Sequence, residues 1–277
     1  RSVNHSYFGR KNAELRQRIH GDIEQIPTGK HYVALVVSDG DNIQWLERDF
    51  ATTGSFGQRL ATPCDYKMSW TFSPSMAKIC PDGANYVYDH AKADYFVSGV
   101  SGIGYANCLS YPREHLDEFT RQTAEAMERS DLSVVTLLDN IANTADEQFV
   151  QDRLHSYAKF DIIKGGIWEL DPDRYGSGHG KVWWVDGKPF VSVSFTMWYP
   201  TGNMSDVTKA WLDEMAAQVN AMPVDPTSED GYTVVNIHPW TMNQQSIDYF
   251  VSRLDRNRTE LVYADELIEL MKRNVKR

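Results

Sequence analysis

Eight times along this chain a short apolar run, the length of a β-strand, stops at polar residues and gives way to a stretch with helical spacing. That alternation restricts the fold more than any other feature, because strands separated by helices of 10–15 residues can only pair in parallel. The first unit is the clearest. Val33-Ala34-Leu35-Val36-Val37 is mostly β-branched and reads as a strand covered on both faces. It ends abruptly in Ser38-Asp39-Gly40-Asp41-Asn42, and strand ends of this kind are where α/β folds build ligand sites.

The remaining units follow the same figure. Residues 10–26 carry Leu15, Ile19, Ile23 and Ile26 at amphipathic spacing and predict a leading helix, so that residues 1–28 form a helical lead or junction. Strands are expected at 31–38, 66–72, 94–100, 132–138, 162–170, 191–197, 233–237 and 261–263. Helices are expected from Asp41-Asn42, at 82–91, at 113–129 behind Pro112, from a Thr144/Glu147 capping box to about 160, from Ser205 to about 222, at 244–254, and after Asp265-Glu266. Residues 181–193 read as a β-hairpin inserted on an Asp186-Gly187 turn, its second arm continuing into the sixth strand. Seven to eight units over residues 29–277 fit one α/β domain, a (β/α) barrel that is TIM-like and irregular. An open doubly wound sheet is the runner-up; no G-x-G-x-x-G follows the first strand to support dinucleotide binding.

Charge and cysteine content narrow the partners. A net charge of -10 argues against nucleic acid and anionic membranes, and no apolar stretch is long enough to span a bilayer. Cys64, Cys80 and Cys108 form no metal motif; a Cys64–Cys80 bridge and three unpaired thiols are both open.

If the units close into a barrel, the strand ends share one mouth. That mouth collects Asp39, Asp41 and Asn42; Trp70; Ser101, Gly102 and Tyr105; Asp139 and Asn140; Trp168, Glu169 and Asp171; Trp198 and Tyr199; His238 and Trp240; and Asp265 and Glu266. Carboxylates beside aromatic platforms suit a carbohydrate. Glycoside hydrolysis needs one carboxyl as acid and another as base or nucleophile. Asp41 and Glu169 are the expected pair, with Asp39 and Asp265 supporting them and His238 contacting substrate. Trp168 is expected to desolvate Glu169 and raise its pKa. Asn42, Trp70, Tyr105, Tyr111, Trp168, Trp198 and Trp240 are expected to bind substrate. Plainer roles compete: helix caps for Asp39, Asp41 and Asp265, a turn for Asp139-Asn140, and core packing for His238. No cofactor is expected. Asp39, Asp41 and His238 offer three ligands for a metal, but no second histidine stands at ligand spacing.

The loop Gly102-Ile103-Gly104-Tyr105-Ala106-Asn107-Cys108-Leu109-Ser110-Tyr111-Pro112 resembles the signature of the GxGYxYP glycoside hydrolase family. Gly102, Gly104 and Tyr105 match its first half, and Tyr111 and Pro112 its second; five residues separate Tyr105 from Tyr111 where the motif has one. Asp-Gly-Asp-Asn after strand one, Ile-His-Pro-Trp at 237–240 and Tyr-Ala-Asp-Glu at 263–266 extend the resemblance to about 31–270. It implies a barrel-like catalytic domain of secreted, periplasmic or envelope-associated bacterial proteins, a carbohydrate substrate, and a further N-terminal domain outside this chain. The acidic strand-one motif and the strand-seven histidine also resemble polysaccharide deacetylases, whose His-x-x-x-His metal pair is missing here. The alternatives to a glycoside hydrolase are therefore a metal-dependent glycan deacetylase and a non-catalytic glycan-binding barrel.

Overall fold

Seven consecutive buried residues, His31–Val37, form strand β1 of a ten-stranded sheet in the computed structural model, which describes residues 14–62, 64–139, 141–142, 144–169, 179–198 and 204–277. The other strands are β2 Met68–Phe72, β3 Asp94–Ser98, β4 Val134–Leu137, β5 Gly165–Trp168, β6 Val182–Val185, β7 Lys188–Ser192, β8 Phe195–Met197, β9 Tyr232–Ile237 and β10 Thr259–Val262. Hydrogen-bonded neighbours run β6-β7-β5-β4-β3-β2-β1-β9-β8, with β10 attached to β1 off this path. Every pairing is parallel except the β6–β7 hairpin, which turns on Asp186-Gly187 as the sequence predicts. Val193 and Ser194, between β7 and β8, donate to Trp168 O on β5 and Val234 O on β9. The two ends of the sheet therefore meet through this join and not through one continuous ladder.

Helices α1 Ile43–Glu47, α2 Ser55–Ala61, α3 Met76–Ile79, α4 Pro81–His90, α5 Arg113–Arg129, α6 Glu147–Ala158, α7 Asp206–Ala221, α8 Gln244–Ser252 and α9 Ala264–Asn274 alternate with the strands. Among the described residues no helix is long and apolar enough to cross a membrane.

Strand alternation sorts the core into two clusters. Val33, Leu35 and Val37 of β1 join Trp70, Phe96, Leu137, Trp168 and the helices in an outer cluster. Tyr32, Ala34 and Val36 join Val97, Val134, Ile167, Val191 and Val234 on an inner face. Helix α9 fills that inner face with Leu267, Ile268, Leu270 and Met271. Gly165 makes room for it: an added Cβ would lie 2.9 Å from Ile268.

Three expectations are corrected, and the open alternative for the cysteines is closed. Residues 14–26 hold no α-helix, only a 3-10 turn at Ile23–Gln25, because tertiary contacts claim the segment. Leu15 N donates to Arg129 O, and the Gln17 side chain accepts from Phe96 N and donates to Phe96 O, where β3 and β4 pair only at Ser98↔Val135. Residues 1–13 lie outside the described ones. Asp146, not Thr144, caps α6 by accepting from Phe149 N. The last strand is not an eighth equivalent unit: β10 pairs with His31–Ala34 of β1, while β2 pairs with Val36–Val37, so β10 wedges beside the first half of β1. None of the three cysteines is in a disulfide.

Candidate active site

The loops after β1, β2 and β3 press on one another. Gly40 N donates to Thr71 Oγ1 at 2.8 Å, and Thr71 Oγ1 donates to Val37 O at 2.8 Å. A Cβ on Gly40 would stand 2.0 Å from Thr71 O, so only glycine allows this approach; on Gly99 it would stand 3.1 Å from Asp41 N. Asp39 adopts a left-handed φ of 68°, a region Asp enters more readily than most residues. Asn42 Oδ1 accepts from Trp45 N and caps α1, so the cap considered for Asp41 belongs to Asn42. Asn42 is exposed while doing so.

Asp39 lies beside His238, which follows β9: His238 Nε2 is 3.5 Å from Asp39 Oδ2. Ser38 Oγ donates to the same oxygen at 3.4 Å. Burial, reinforced by the charge of Asp41, pushes Asp39 up to about 6, against smaller lowering contacts from Ser38 and the Trp240 side chain. Burial also raises Asp41. Trp198 stacks on the His238 ring at 4.2 Å between centroids, and Thr241 Oγ1 is 3.2 Å from His238 Nδ1.

Glu169 comes to this group from the end of β5. It is 2% exposed, and neither carboxyl oxygen has a hydrogen-bond partner among the described residues; nearby Thr136 Oγ1 donates to Ser98 O. Burial drives its pKa well above the carboxylate range, and the charges of Asp41 and then Asp39 add to the rise. Burial and mutual repulsion therefore disfavour full ionisation of these three carboxyls.

Other expected residues lie apart. Asp265 follows the wedged β10; its carboxylate accepts from Gly21 N at 3.0 Å and Glu266 N at 2.9 Å, fastening the segment before β1. It does not join Asp39, Asp41 and Glu169, although burial lifts it to about 6 as well. Trp70 and Trp168 are wholly buried in the outer cluster, Trp70 edge-on to Phe50 and Phe56 and Trp168 against Trp183. Trp168 points away from Glu169's side of β5, so neither tryptophan is a sugar platform. Asp139 accepts from Leu109 N, Ser110 N and Ile141 N, so its turn role holds: it ties the glycine-rich loop to β4. In that loop Tyr105 is 67% exposed, whereas Tyr111 packs on Phe119. Gly102, at φ 121°, would clash with Thr123 if it carried a Cβ. Asn140, Asp171 and Tyr199 lie outside the described residues.

Sequence reasoning missed Asn236. It is fully buried on β9, two residues before His238, and both its amide atoms lack partners among the described residues. Strand alternation puts it on the inner face with Val234, the face Glu169 shares with Ile167. The signal was present: Asn is disfavoured in strands, yet stands inside Val234-Val235-Asn236-Ile237.

Among the described residues no three His, Cys, Asp or Glu side chains gather tightly enough to hold a metal ion. Asp39, Asp41 and His238 therefore do not form the three-ligand set weighed from the sequence.

Comparison with known proteins adds context to this geometry. The profile of the GxGYxYP putative glycoside hydrolase C-terminal domain matches residues 29–272. A crystal structure of a putative hydrolase from Bacteroides thetaiotaomicron superposes with a TM-score of 0.76 at 26% identity. The match covers 95% of this chain and 49% of that one, so this chain spans about half the length of that relative. A putative polysaccharide deacetylase from Mycobacterium smegmatis shares the fold, with a TM-score of 0.57 at 12% identity over 94% of this chain and 95% of that one. No curated protein matches.

Proposed function

We propose a glycan-cleaving function from one premise: the chain belongs to the GxGYxYP family, whose domain is described as a putative glycoside hydrolase C-terminal domain. The observation that carries the proposal is the gathering of Asp39, Asp41 and Glu169 at the ends of β1 and β5, where burial raises all three and Asp39 lies beside His238. Hydrolysis of a glycosidic bond requires one carboxyl that is protonated and one that is ionised at the same pH. The unequal environments of this cluster supply both states.

Asp39 is the proposed general acid. It is reachable, near His238, and holds its proton up to about pH 6. Asp41 is the ionised partner, acting as base or nucleophile. Glu169, the acid expected from the sequence, is too enclosed at 2% exposure to touch a sugar. Burial and the charges of Asp41 and Asp39 disfavour its ionisation, which limits the negative charge set against Asp41. His238, oriented by Thr241 and stacked on Trp198, sets the hydrogen bonding of Asp39.

The test is turnover on a panel of plant, fungal and bacterial-wall polysaccharides. Asp39→Asn and Asp41→Asn, checked for folding by circular dichroism, should each lower kcat about 100-fold or more. Full activity in both variants would sink the assignment. Because the acid must be protonated, kcat/KM should fall as pH rises through about 6. A deacetylase reading draws only on the Asp39–His238 pair; acetate release from acetylated chitin that depends on added zinc would revive it. Tight glycan binding without turnover would instead mark a binding domain.

A further inference from the structure

A cavity of about 360 Å3 is lined by Pro239, Trp240 and Thr241, which follow His238 in the chain, and by Trp45 and Asp49. Its size falls in the range of small-ligand sites, ~300–1,000 Å3. Trp240 and Trp45 give it an aromatic wall, and Asp49, Gln58, Thr241 and Asn243 bring polar groups to its rim. Trp240 is 52% exposed, unusual for so large an apolar side chain, yet it is held in place. Its ring lies 5.0 Å from that of buried Trp45, and its side chain contacts Asp39. Gly54 lets the Trp45 indole edge lie close to the loop before α2, since an added Cβ would stand 3.0 Å from Trp45 Nε1. The Asp49 carboxylate has no hydrogen-bond or ion-pair partner among the described residues; it is a free acceptor on the rim.

A fixed indole face with carboxylate and amide groups around it matches a pyranose ring. The C–H face of the sugar covers the aromatic surface, and its hydroxyls donate to the Asp49 carboxylate, while the amide oxygens of Gln58 and Asn243 are engaged by Gln244 N and Ser246. We propose that this cavity is a sugar-binding subsite, holding a ring of the glycan next along the chain from the one at the carboxyl cluster. The proposal rests on the glycan reading above and deepens it: the preferred substrate is an oligomer, bound across Trp240, and not a single sugar with a small leaving group.

The test titrates tryptophan fluorescence of the full chain with disaccharides and hexasaccharides of β-1,4-glucose, β-1,4-xylose and β-1,4-N-acetylglucosamine, and follows their cleavage. At least one hexasaccharide should perturb the emission and bind more tightly than its disaccharide. Asp49→Ala, on an exposed loop, should weaken that hexasaccharide about tenfold and leave the disaccharide within about twofold. Gln58→Ala should act in the same direction, and Trp240→Ala should abolish the length preference. Equal binding by all four proteins overturns the subsite, as does failure of every hexasaccharide to bind. If the wild type cleaves hexasaccharides while Asp49→Ala and Gln58→Ala change nothing, the subsite falls and the hydrolase reading stands. If the length preference is present without cleavage, the subsite stands and the hydrolase reading falls.

Discussion

Asp39 shows how one residue carries both strain and chemistry. Its left-handed backbone is fixed by the Gly40–Thr71 contact, and its carboxyl is partly withdrawn from water beside another acid. The ordinary value of 3.8 rises to about 6 in the folded protein. The native state thus binds more protons than the unfolded one between those values, and folding stability falls as pH rises from about 4 to 6. Asp39→Asn should remove that dependence: little changed below pH 4, and more stable than wild type by about 1–3 kcal/mol above pH 6, by denaturant titration at both pH values. Gain of stability with loss of turnover would be the mark of a site whose function costs stability. Residue-scale errors in reading the sequence had one source. Strand ends predict which residues reach the mouth, but period-two alternation decides which way they face. Ser69 and Thr71 alternate with Met68, Trp70 and Phe72, and Trp168 precedes Glu169, so neither tryptophan could share the acids' face.

Elements were legible where local chemistry governs them. Helix α5 spans 113–129 as expected behind Pro112, α7 opens on Ser205 accepting from Thr208 N, and the hairpin turns at Asp186-Gly187. Ser205→Ala should therefore cost about 1 kcal/mol in chemical unfolding. What the sequence could not disclose is pairing. The run preceding Asp265 does form a strand, yet its register against the first half of β1 sets Asp265 with Gly21 and not with Asp39. Asp265→Ala should leave kcat and KM within about twofold while lowering the melting temperature, which steady-state kinetics and a thermal melt would check. Beneath β2 and β3 the buried Arg59–Asp94 pair, at 2.9 Å, also receives no sequence signal, since its partners lie 35 residues apart. Arg59→Met would leave Asp94 buried and unpaired, at a cost of about 3–5 kcal/mol in urea denaturation.

At the scale of the molecule, the parallel α/β class was readable from the alternation of apolar runs and helices, as was the placing of Asp39, Glu169 and His238 just after strands. The two-cluster core was not, because β-branched strands buried on both faces look alike from either side. The structure resolves the ambiguity through α9. Its residues supply much of the inner face, and β10 just before it gives β1 a neighbour over His31–Ala34 on the side β2 does not reach. Within this domain, then, the earliest strand in the sequence is among the last to gain its full set of neighbours. A nascent chain that has delivered residues up to β9 still exposes an edge of β1 and an uncovered inner face. That inner face gains its cover only when residues 259–274 are in place. Completion of the strand that leads to Asp39 is thereby tied to β10 and α9, far along the sequence from it.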